Sequence, residues 1–575
     1  MISRNVRELK KFDQEFVVDI ETISSTGKLL AIGVIEFGNE DDVYICNNWD
    51  DFLEFVCFRE SYKRIRIWAH NGFGFDHLYL MTYLAGFGEL DVVNGVFEHG
   101  HIQYVEIKIF DRHVCLADSF AVFQMSLRKV SDGYCVHYKK QNIEVLPEQL
   151  GWEQMCEYLR LDVLSLREAI QKLISVLKEL YPSFGDVLPT TVGSLAIRIF
   201  RLNLKQDIVT SPIGLDEFER SGYFGGLVGC TRTGIYKKVW GLDVNSMYPS
   251  VMLGRLYPVS YLGYWTRSWE SGLGLWLCKV KYPVGYNGIR WLYDVHRKLF
   301  YDKSECVIDT ETVEYLMANN YSIEIVKGYI YLDVTSTLFS YMEELYRIKE
   351  EGGAKKQTVK YILNSTYGKF GQRHERTRLG TLRQLDDLVQ LVRLGISVQE
   401  YDFGKQQLYT WKERELSTNT FCIIAALVTA RARLKLVKAI NCLMKQGCQL
   451  IYYDTDSLHF IPNDSFNGKI DGISIHPTRL GSWGIQFKNA EAGYAGRKLY
   501  YYLEKKDGKG KVAAKGISGF TRGDMVRLIQ EGERQGGYQG CTSPREVLFK
   551  GVSPGIFSYH ERRVKVLLLN ENEVK

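Results

Sequence analysis

The sequence predicts a multidomain fold of mixed α and β structure, and three observations indicate it. The chain has 575 residues, which is more than one compact core usually holds. Over the first 180 residues, short apolar strands alternate with helical segments, as in an α/β module. A turn-rich stretch at 182–212 then separates this module from a longer part in which strands and short helices continue.

The N-terminal module begins with two predicted strands, at 15–20 and 29–37, that can pair as a hairpin. Further buried strands are expected at 65–69 and 115–120, and a long helix at 152–180. This succession of strands and one long helix favours a sheet covered by helices.

Four carboxylates lie on separate predicted elements of this module. Asp19 and Glu21 are two residues apart at the end of a strand, so they point to the same side. Asp76 follows another strand, and Asp162 lies in the long helix, one turn after Tyr158. Each residue alone has an ordinary structural explanation. Together they predict a paired-metal site that hydrolyses a phosphodiester with a metal-bound water, which Tyr158 could orient.

The most informative motif is Tyr-Tyr-Asp-Thr-Asp-Ser at 452–457, which apolar runs flank on both sides. We expect the tip of a β-hairpin, with Asp454 and Asp456 on one side of an extended chain. A third carboxylate, Asp243, lies far upstream in Leu-Asp-Val-Asn-Ser-Met-Tyr-Pro. Two unit charges about 4 Å apart repel by roughly 4 kcal/mol at a dielectric near 20, so such a cluster indicates bound divalent cations. A polar turn would explain the triplet only in isolation.

A strongly amphipathic helix is predicted at 354–367, after the pair Gly352-Gly353. One stripe would carry two lysines one turn apart beside an aromatic ring, which suits binding of a triphosphate; a solvated surface helix is the alternative. The polar stripe holds Lys356, Lys360, Asn364 and Tyr367, and the core stripe holds Val359, Ile362, Leu363, Thr366 and Phe370.

Bulk composition excludes several classes of protein. Hydrophobic residues make up 45% and charged residues 25%, as in an ordinary soluble protein, and the net charge is only +5. Nine Lys or Arg against three acids at 346–378 form a basic stretch that suits a phosphate backbone. The 12 cysteines include no Cys-x-x-Cys pair and no zinc spacing, which predicts free thiols in a reducing compartment. No apolar run is long enough for a membrane span, and the charged start is no secretory signal.

These motifs, in this order, resemble the family B DNA polymerases, and specifically their protein-primed subgroup from bacteriophages, linear plasmids and related elements. Asp-Ile-Glu at 19–21, Asn71 with Phe75-Asp76, and Tyr158 with Asp162 are similar to the three motifs of the family's 3′–5′ exonuclease. Ser126-Leu127 is similar to its single-strand-binding pair, for which Ser119-Phe120 is the alternative. The resemblance implies that Thr22, Asn71 and Phe75 hold the frayed primer strand.

The polymerase motifs cover the rest of the chain, with Met247 where the family usually has leucine. The resemblance implies catalytic Asp243, Asp454 and Asp456, with two Mg²⁺ ions (Mn²⁺ possible) per active site, held here by Asp243, Val244 and Asp456 and in the exonuclease by Asp19, Glu21 and Asp162. It further implies that Tyr248 excludes a 2′-hydroxyl and that Lys349, Lys356, Lys360, Asn364 and Tyr367 bind the nucleotide. The motifs expected to contact DNA contain Tyr223, Gly225, Gly226, Thr429, Arg433, Lys498 and Tyr500.

The implied fold class is α/β and α+β multidomain, with an RNase H-like exonuclease followed by palm, fingers and thumb with two insertions. The expected divisions are the exonuclease at 1–182, a linker at 183–235, palm at 236–265, an insertion of the terminal-protein-binding type at 266–335, palm and fingers at 336–370, a second insertion for strand displacement and processivity at 371–416, palm at 417–514 and thumb at 515–575.

The implied function is template-directed, protein-primed DNA synthesis with 3′–5′ proofreading, on a linear viral or plasmid genome. Expected partners are primer-template and single-stranded DNA, dNTPs, a terminal protein and a single-stranded-DNA-binding protein, with no membrane, and the protein is expected to be a monomer. A bacterial cytoplasm is the expected location, with a mitochondrion as the alternative.

Three other functions are alternatives for the same residues. A family B polymerase that starts from an ordinary primer, or from none, without a terminal protein remains the alternative. A reverse transcriptase or RNA polymerase fits less well, because Thr455 separates the two aspartates and an exonuclease module is present. A catalytically inactive DNA-binding accessory protein would be expected to have lost some of the seven carboxylates.

Overall fold

The structure is a computed structural model. It describes residues 1–6, 9, 11–38, 41–98, 101–141, 145–300, 303–350, 353–381, 385–403, 405–414, 419–504, 508–515, 517, 519–541 and 557–565. Within these residues, no helix is both long enough and apolar enough to cross a membrane.

The N-terminal module is a mixed sheet with helices on its faces, as predicted. Its strand order is β5-β6-β7-β4-β1-β2-β3, and β4 runs parallel to both β1 and β7. The strands are β1 Gln14–Thr22, β2 Leu29–Glu36, β3 Tyr44–Cys46, β4 Arg64–Ala69, β5 Asp91–Glu98, β6 His101–Ile109 and β7 Arg112–Asp118. The helices are α1 Trp49–Leu53, α2 Asp76–Phe87, α3 Phe120–Phe123, α4 Leu127–Tyr134 and α5 Trp152–Leu180.

The strand predicted at 115–120 ends earlier than expected. Asp118 closes β7, and its Oδ1 accepts hydrogen bonds from the amides of Asn71 and Phe120, each at 2.8 Å. Because the carboxylate satisfies the first amides after the strand, the chain turns at Ser119 and Phe120 begins α3.

A feature that the sequence did not predict is that residues 375–414 extend this same sheet to ten strands. Strand β18 pairs antiparallel with β5, and the order continues β19-β20-β18-β5. A Cβ on Gly95 of β5 would lie 2.8 Å from the carbonyl oxygen of Leu379, so glycine permits this close pairing. The added elements are β18 Glu375–Gly380, α12 Leu385–Arg393, β19 Val398–Phe403 and β20 Gln406–Arg414.

The second large sheet has seven strands in the order β25-β24-β23-β9-β22-β21-β8. Helix α13 is almost wholly buried and forms, with this sheet, the centre of the largest hydrophobic core. The strands are β8 Val228–Cys230, β9 Gly234–Val244, β21 Gln449–Asp454, β22 Ser457–Ile461, β23 Trp483–Gly496, β24 Leu499–Leu503 and β25 Gly510–Ala514, and the helices are α8 Met247–Met252 and α13 Cys422–Lys445.

Helix α11, Gly353–Phe370, is the amphipathic helix expected at 354–367, and its core stripe is buried as predicted. It packs against α6, α10 and α13, and the hydroxyls of Thr358 and Tyr134 in α4 are 3.0 Å apart. The neighbouring helices are α6 Val192–Leu202, α7 Ile213–Ser221 and α10 Tyr341–Glu350; Glu351 and Gly352 lie outside the described residues.

A small α/β unit interrupts the second sheet between β9 and α10, where the first insertion was expected. Its four-stranded sheet has the order β11-β16-β12-β15 and begins at Gly263, ahead of the predicted residue 266. Its elements are β10 Tyr257–Pro258, β11 Gly263–Thr266, β12 Gly274–Lys281, β13 Tyr293–Asp294, β14 Leu299–Phe300, β15 Lys303–Asp309, α9 Thr310–Ala318, β16 Ser322–Tyr331 and β17 Val334–Thr335. The C-terminal elements are α14 Arg522–Glu531, β26 Glu533–Cys541 and β27 Phe557–Lys565.

Candidate active sites

The first candidate site forms around the turn between β21 and β22. Asp454 is the last residue of β21 and pairs with Ser457, so Thr455 and Asp456 are the two loop residues of a hairpin, as predicted. Thr455 has φ 56°, in the left-handed region that two-residue turns require. Asp456 therefore lies in the turn rather than on an extended strand, and the turn, not strand alternation, brings the two aspartates to the same end of the sheet.

Asp243 reaches the same place from the neighbouring strand. It pairs with Ser457 on one side and with Gly484 on the other, and the amide of Val244 donates to the carbonyl oxygen of Asp456 at 2.8 Å. Burial, and then the charge of Asp456, raises the pKa of Asp243 to about 7. Burial, and then the charge of Asp454, raises the pKa of Asp456 to about 6. The structure thus gathers the three predicted carboxylates, and neighbouring charges disfavour ionisation of Asp243 and Asp456.

Asp454 has its own cationic partner. The Nζ of Lys498 is 2.8 Å from its Oδ2, and the hydroxyl of Tyr452 donates to the same oxygen at 3.1 Å. Lys498 has φ 57°, so an unusual backbone conformation places this amine at the catalytic turn. Lys498 and Tyr500 are predicted to contact DNA; in this structure Lys498 pairs with Asp454, and Tyr500 is buried against the Tyr452 ring at 4.9 Å.

Two tyrosine side chains lie near this turn, and basic side chains lie on the same helices. The rings of Tyr248 and Tyr367 stack with centroids 4.2 Å apart and planes at 28°. Lys356, Lys360 and Asn364 are exposed along the polar stripe of α11. The Nζ of Lys349 donates to the hydroxyl of Ser246 at 2.9 Å, next to the Asp243 motif. Their role in nucleotide binding stays a prediction.

The loop at 223–227 supports the catalytic turn directly. The carbonyl oxygen of Leu227 accepts from the amide of Thr455 at 2.7 Å. A Cβ on Gly226 would lie 2.5 Å from the Thr455 hydroxyl oxygen, so glycine is needed for this approach. A Cβ on Gly225 would meet nothing within 4 Å.

The second candidate site lies in the N-terminal module, where the four predicted carboxylates act on one another. Burial, and then the charges of Asp162 and Asp76, raise the pKa of Asp19, and burial with Asp162 raises that of Glu21 to about 8. Burial raises the pKa of Asp76 to about 7, although its Oδ1 accepts from the Ile20 amide at 3.0 Å. Burial also raises the pKa of Asp162.

The sequence did not predict a cationic residue in this second site. The Nζ of Lys140 donates to the hydroxyl of Tyr158 at 2.8 Å and also bonds Asp162. Burial works against its charge, but the carboxylates of Asp162 and Asp19 raise the pKa of Lys140 overall. Lys140 follows a second lysine in a segment without a recognisable pattern, so only the fold shows that it faces the carboxylates.

The donor chemistry of both sites fits a divalent cation. Across the described residues, no three His, Cys, Asp or Glu side chains form a complete metal-binding cluster. Each site nevertheless offers buried carboxylate oxygens with raised pKa values, which are the ligands that hard cations prefer. The Oδ1 of Asp162 is buried without a hydrogen-bond partner, which leaves it available as a ligand. In each site, a lysine ammonium is paired with one of the carboxylates.

Comparisons with known proteins agree with this architecture. The family described as DNA polymerase type B, organellar and viral, matches residues 152–421. The DNA-directed DNA polymerase of Enterobacteria phage PRD1 is 27% identical over 503 residues, which cover 82% of this chain and 79% of that protein. The DNA polymerase of Bacillus phage phi29 is 24% identical over 546 residues, covering 85% and 87%. A solved ternary complex of phi29 DNA polymerase with primer-template DNA and incoming nucleotides superposes with a TM-score of 0.73 at 18% identity, covering 96% of this chain and 100% of that one.

The family match and the phage relatives support a protein-primed family B DNA polymerase. The predicted family and fold class are thereby confirmed. Because members of this family depend on divalent metal ions, the carboxylates gathered in each site are the natural ligands to consider.

Two predicted DNA contacts of this polymerase are buried. Thr429 is 2% exposed, and its hydroxyl donates to the carbonyl oxygen of Ala425 at 3.0 Å. The Arg433 guanidinium is also buried, lies 3.4 Å from the Phe224 ring centroid and donates to the Gly225 carbonyl at 3.2 Å. Arg433 thus anchors the loop at 223–227, whereas Thr429 bonds the backbone of its own helix, and neither side chain is at the surface.

The single-strand-binding pair is also placed differently. Leu127 is only 7% exposed and packs in the core, whereas Phe120 is 42% exposed and lines a groove of about 980 Å³ together with Asn71. Ser119 is buried, and its hydroxyl donates to the carbonyl oxygen of Ala69 at 3.1 Å. The structure therefore favours the alternative pair Ser119-Phe120 over Ser126-Leu127. Of the other predicted strand contacts, Thr22 is buried at the end of β1, and the Phe75 ring packs on Tyr79 at 5.1 Å.

Proposed function

We propose that this family B polymerase extends a DNA strand at the site around Asp243 and Asp456 and removes mispaired ends at the site around Asp19 and Asp162. The observation that carries the proposal is the convergence of Asp243, Asp454 and Asp456 at the end of the seven-stranded sheet, with Tyr367 of α11 stacked on Tyr248 beside them. DNA and nucleotides are bound in solved structures of phi29 DNA polymerase, which has the same fold.

In the polymerase site, Asp243 and Asp456 would hold two Mg²⁺ ions, or Mn²⁺, next to the backbone of Val244. Bound ions would favour ionisation of the primer 3′-hydroxyl and neutralise the leaving pyrophosphate. Asp454, which is paired with Lys498 in this structure, would help to orient the other two carboxylates.

Nucleotide selection would fall to α11 and the stacked tyrosines. Lys356 and Lys360 are one helical turn apart and exposed, so both ammonium groups can bind one triphosphate, with Lys349 at its edge. Tyr248 would lie beneath the sugar, where its ring excludes a 2′-hydroxyl, and Tyr367 would pack at the nascent base pair.

In the exonuclease site, Asp19, Glu21 and Asp162 would bind two ions, and Asp76 fixes the site by accepting from the Ile20 amide. Lys140 holds the Tyr158 hydroxyl at 2.8 Å, so the phenol is positioned to orient the attacking water. The ammonium also offsets the repulsion among four buried carboxylates. The groove beside Asn71 and Phe120 supports binding of a single strand.

Priming by a terminal protein is supported by an exposed apolar patch where the palm joins the first insertion. Leu262 is 59%, Trp265 48% and Leu332 65% exposed, and the Leu332 amide bonds the Leu262 carbonyl oxygen at 2.9 Å. Three neighbouring large apolar side chains in solvent are typical of a protein-binding surface. Lys327 lies over the Trp265 ring, with its Nζ 5.0 Å from the centroid, so the patch combines apolar surface with one positive charge.

The domain divisions given above are proposed for this chain, with the second insertion acting in strand displacement and processivity. Its arginines Arg376 and Arg378 line the groove of the exonuclease module, together with Lys369, which supports passage of a strand there. We further propose a single-stranded-DNA-binding partner, a monomeric state, and replication in the cytoplasm of a bacterial host, as the phage relatives suggest, with a mitochondrion as the alternative.

One gel tests both sites. A 5′-labelled primer on a longer template is incubated with the protein and Mg²⁺, with and without dNTPs, and with EDTA as a metal-free lane. We expect extension with dNTPs, laddered shortening without them, and neither in EDTA. Asp456→Ala should lose extension but keep shortening, and Asp19→Ala combined with Asp162→Ala should do the reverse. Loss of both activities in either variant would contradict two separate sites.

A further inference from the structure

A small cavity that the catalytic assignment does not use lies beside the Asp243 motif. Its volume is about 330 Å³, which is at the lower end for ligand sites. Its walls come from the end of α8, from α13 and from the loop at 474–482 that leads into β23. Its polar side chains are Ser250, Lys435, Ser474, Arg479 and Ser482, and none of the residues that line it is acidic.

Lys435 places a half-buried ammonium group in the wall. Its Nζ donates to the carbonyl oxygen of Gly481 at 2.6 Å and lies 3.3 Å from the Ser250 hydroxyl oxygen. Both partners are neutral, so the positive charge is solvated by dipoles but not balanced by them. Burial, and then the charge of Arg255, lowers the pKa of Lys435 to about 8. An anion in the cavity would favour the charged form of Lys435, which burial and Arg255 both disfavour.

The other polar groups offer hydrogen bonds to the same ligand. Arg479 adds a second permanent positive charge on an exposed side chain. The hydroxyls of Ser474 and Ser482 hydrogen-bond each other at 3.3 Å, so one donates to the other while the second can donate to a ligand. Two cations with several hydroxyl donors and no acid match a tetrahedral oxyanion. We propose that this cavity binds a phosphate group, supplied either by free inorganic phosphate or by a phosphodiester of a DNA strand.

The loop that would close on the phosphate is tied to the polymerase site. The Gly481 amide donates to the Asn245 carbonyl oxygen at 2.9 Å, and the Asn245 amide donates to the Ser482 carbonyl oxygen at 3.0 Å. The Asn245 side chain also donates to the carbonyl oxygens of His476 and Arg479, at 2.9 and 3.3 Å. Asn245 is two residues from Asp243, so phosphate in the cavity would stabilise the loop that holds this motif.

Hydrogen exchange of the full chain tests the site without any catalytic readout. The protein is titrated with inorganic phosphate in EDTA at constant ionic strength set by chloride, and exchange is followed in peptides that cover 474–482. Phosphate should slow exchange there in the natural protein. Arg479→Gln, an exposed position that keeps the fold, and Lys435→Met should each need at least tenfold more phosphate for the same protection.

The matched control is Lys438→Met, an exposed lysine of the same helix that does not line the cavity. It should respond to phosphate like the natural protein. Equal protection in all four proteins, or no protection in the natural one, would overturn the proposal. Because EDTA removes the metal ions and neither extension nor degradation is measured, failure of the catalytic assignments would not affect this result.

A second titration with a short oligothymidylate identifies the source of the phosphate. Protection of 474–482 by the oligonucleotide at lower concentration than by phosphate, and its loss in Arg479→Gln, would assign the site to a DNA strand. Protection by phosphate alone would assign it to the free anion. Both results support the site, whereas protection by neither ligand rejects it.

Discussion

The contact between Gly226 and Thr455 makes a quantitative prediction about the catalytic turn. In Gly226→Ala, the new Cβ would lie 2.5 Å from the Thr455 hydroxyl oxygen and 2.8 Å from its methyl carbon, where ordinary contacts begin near 3.4 Å. The turn must therefore move by about 1 Å, and misplacement of catalytic groups by that distance typically costs about 100-fold in rate. We expect the rate of primer extension to fall by about that factor, while degradation of single-stranded DNA is retained.

Two further variants test whether the steric contact causes the loss of activity. Gly225→Ala adds the same methyl group one residue away, where nothing lies within 4 Å, and should extend primers within about threefold of the natural rate. Thr455→Gly removes both atoms that the new Cβ would meet and suits the φ of 56°. Combined with Gly226→Ala, it should recover most of the lost activity. Single-turnover extension with saturating dNTP measures all four proteins, and equal rates for the two alanine variants would refute the steric argument.

Three other predictions concern separate parts of the molecule. Lys140→Met should slow 3′–5′ degradation by about 100-fold with extension unchanged, because it removes the cation that holds Tyr158. The matched control is Lys139→Met, which should degrade DNA normally. The Lys139 amine bonds the backbone carbonyl of Ser131 at 3.0 Å instead. Tyr248→Val should allow ribonucleotide incorporation in a primer-extension assay, and unchanged discrimination would reject the steric gate. Burial raises the pKa of Glu219 to about 7, so its stabilising contribution is complete below about pH 4.5 and is lost as pH rises through 7. Glu219→Gln should therefore flatten the pH dependence of the unfolding free energy between pH 5 and 8 by about 3 kcal/mol. Denaturant titration at several pH values measures this, and a pH profile identical to that of the natural protein would contradict the raised pKa.

Local patterns were sufficient to predict the elements that carry the carboxylates. The long helix was expected at 152–180 and is observed at Trp152–Leu180, because its apolar periodicity runs unbroken over that length. The hairpin at Asp454 and the buried stripe of α11 were likewise encoded in short stretches whose hydrophobic pattern matches one secondary structure. Where local propensity and tertiary packing agree, sequence reasoning reaches the site itself.

The predictions that failed depended on contacts between distant segments. Thr429 and Arg433 lie in a helix that packing buries almost completely, so motif membership alone misjudged their exposure. The position of Lys140 has no local signal in the sequence, because the carboxylate that it contacts lies 22 residues away. The pairing of β18 with β5 has none either, because the two strands are nearly 300 residues apart. Both contacts are specified only by the assembled fold. Exposure of Phe120 similarly follows from the turn that Asp118 imposes.

The strand pairing between β18 and β5 has a consequence for how the two active sites cooperate. Segments joined by a flexible linker can move independently, whereas here the insertion after α11 continues the exonuclease sheet, and Thr381 of that segment donates to Asp91 and accepts from the Val92 amide at 2.9 Å. On the opposite face, Tyr134 of the exonuclease module bonds Thr358 of α11 at 3.0 Å. Because backbone hydrogen bonds and a helix contact both cross the boundary, the two carboxylate clusters are held at a fixed separation. The N-terminal module and the helix that carries Lys356 and Lys360 are thus joined by strand pairing at β5 and by a side-chain hydrogen bond at α4.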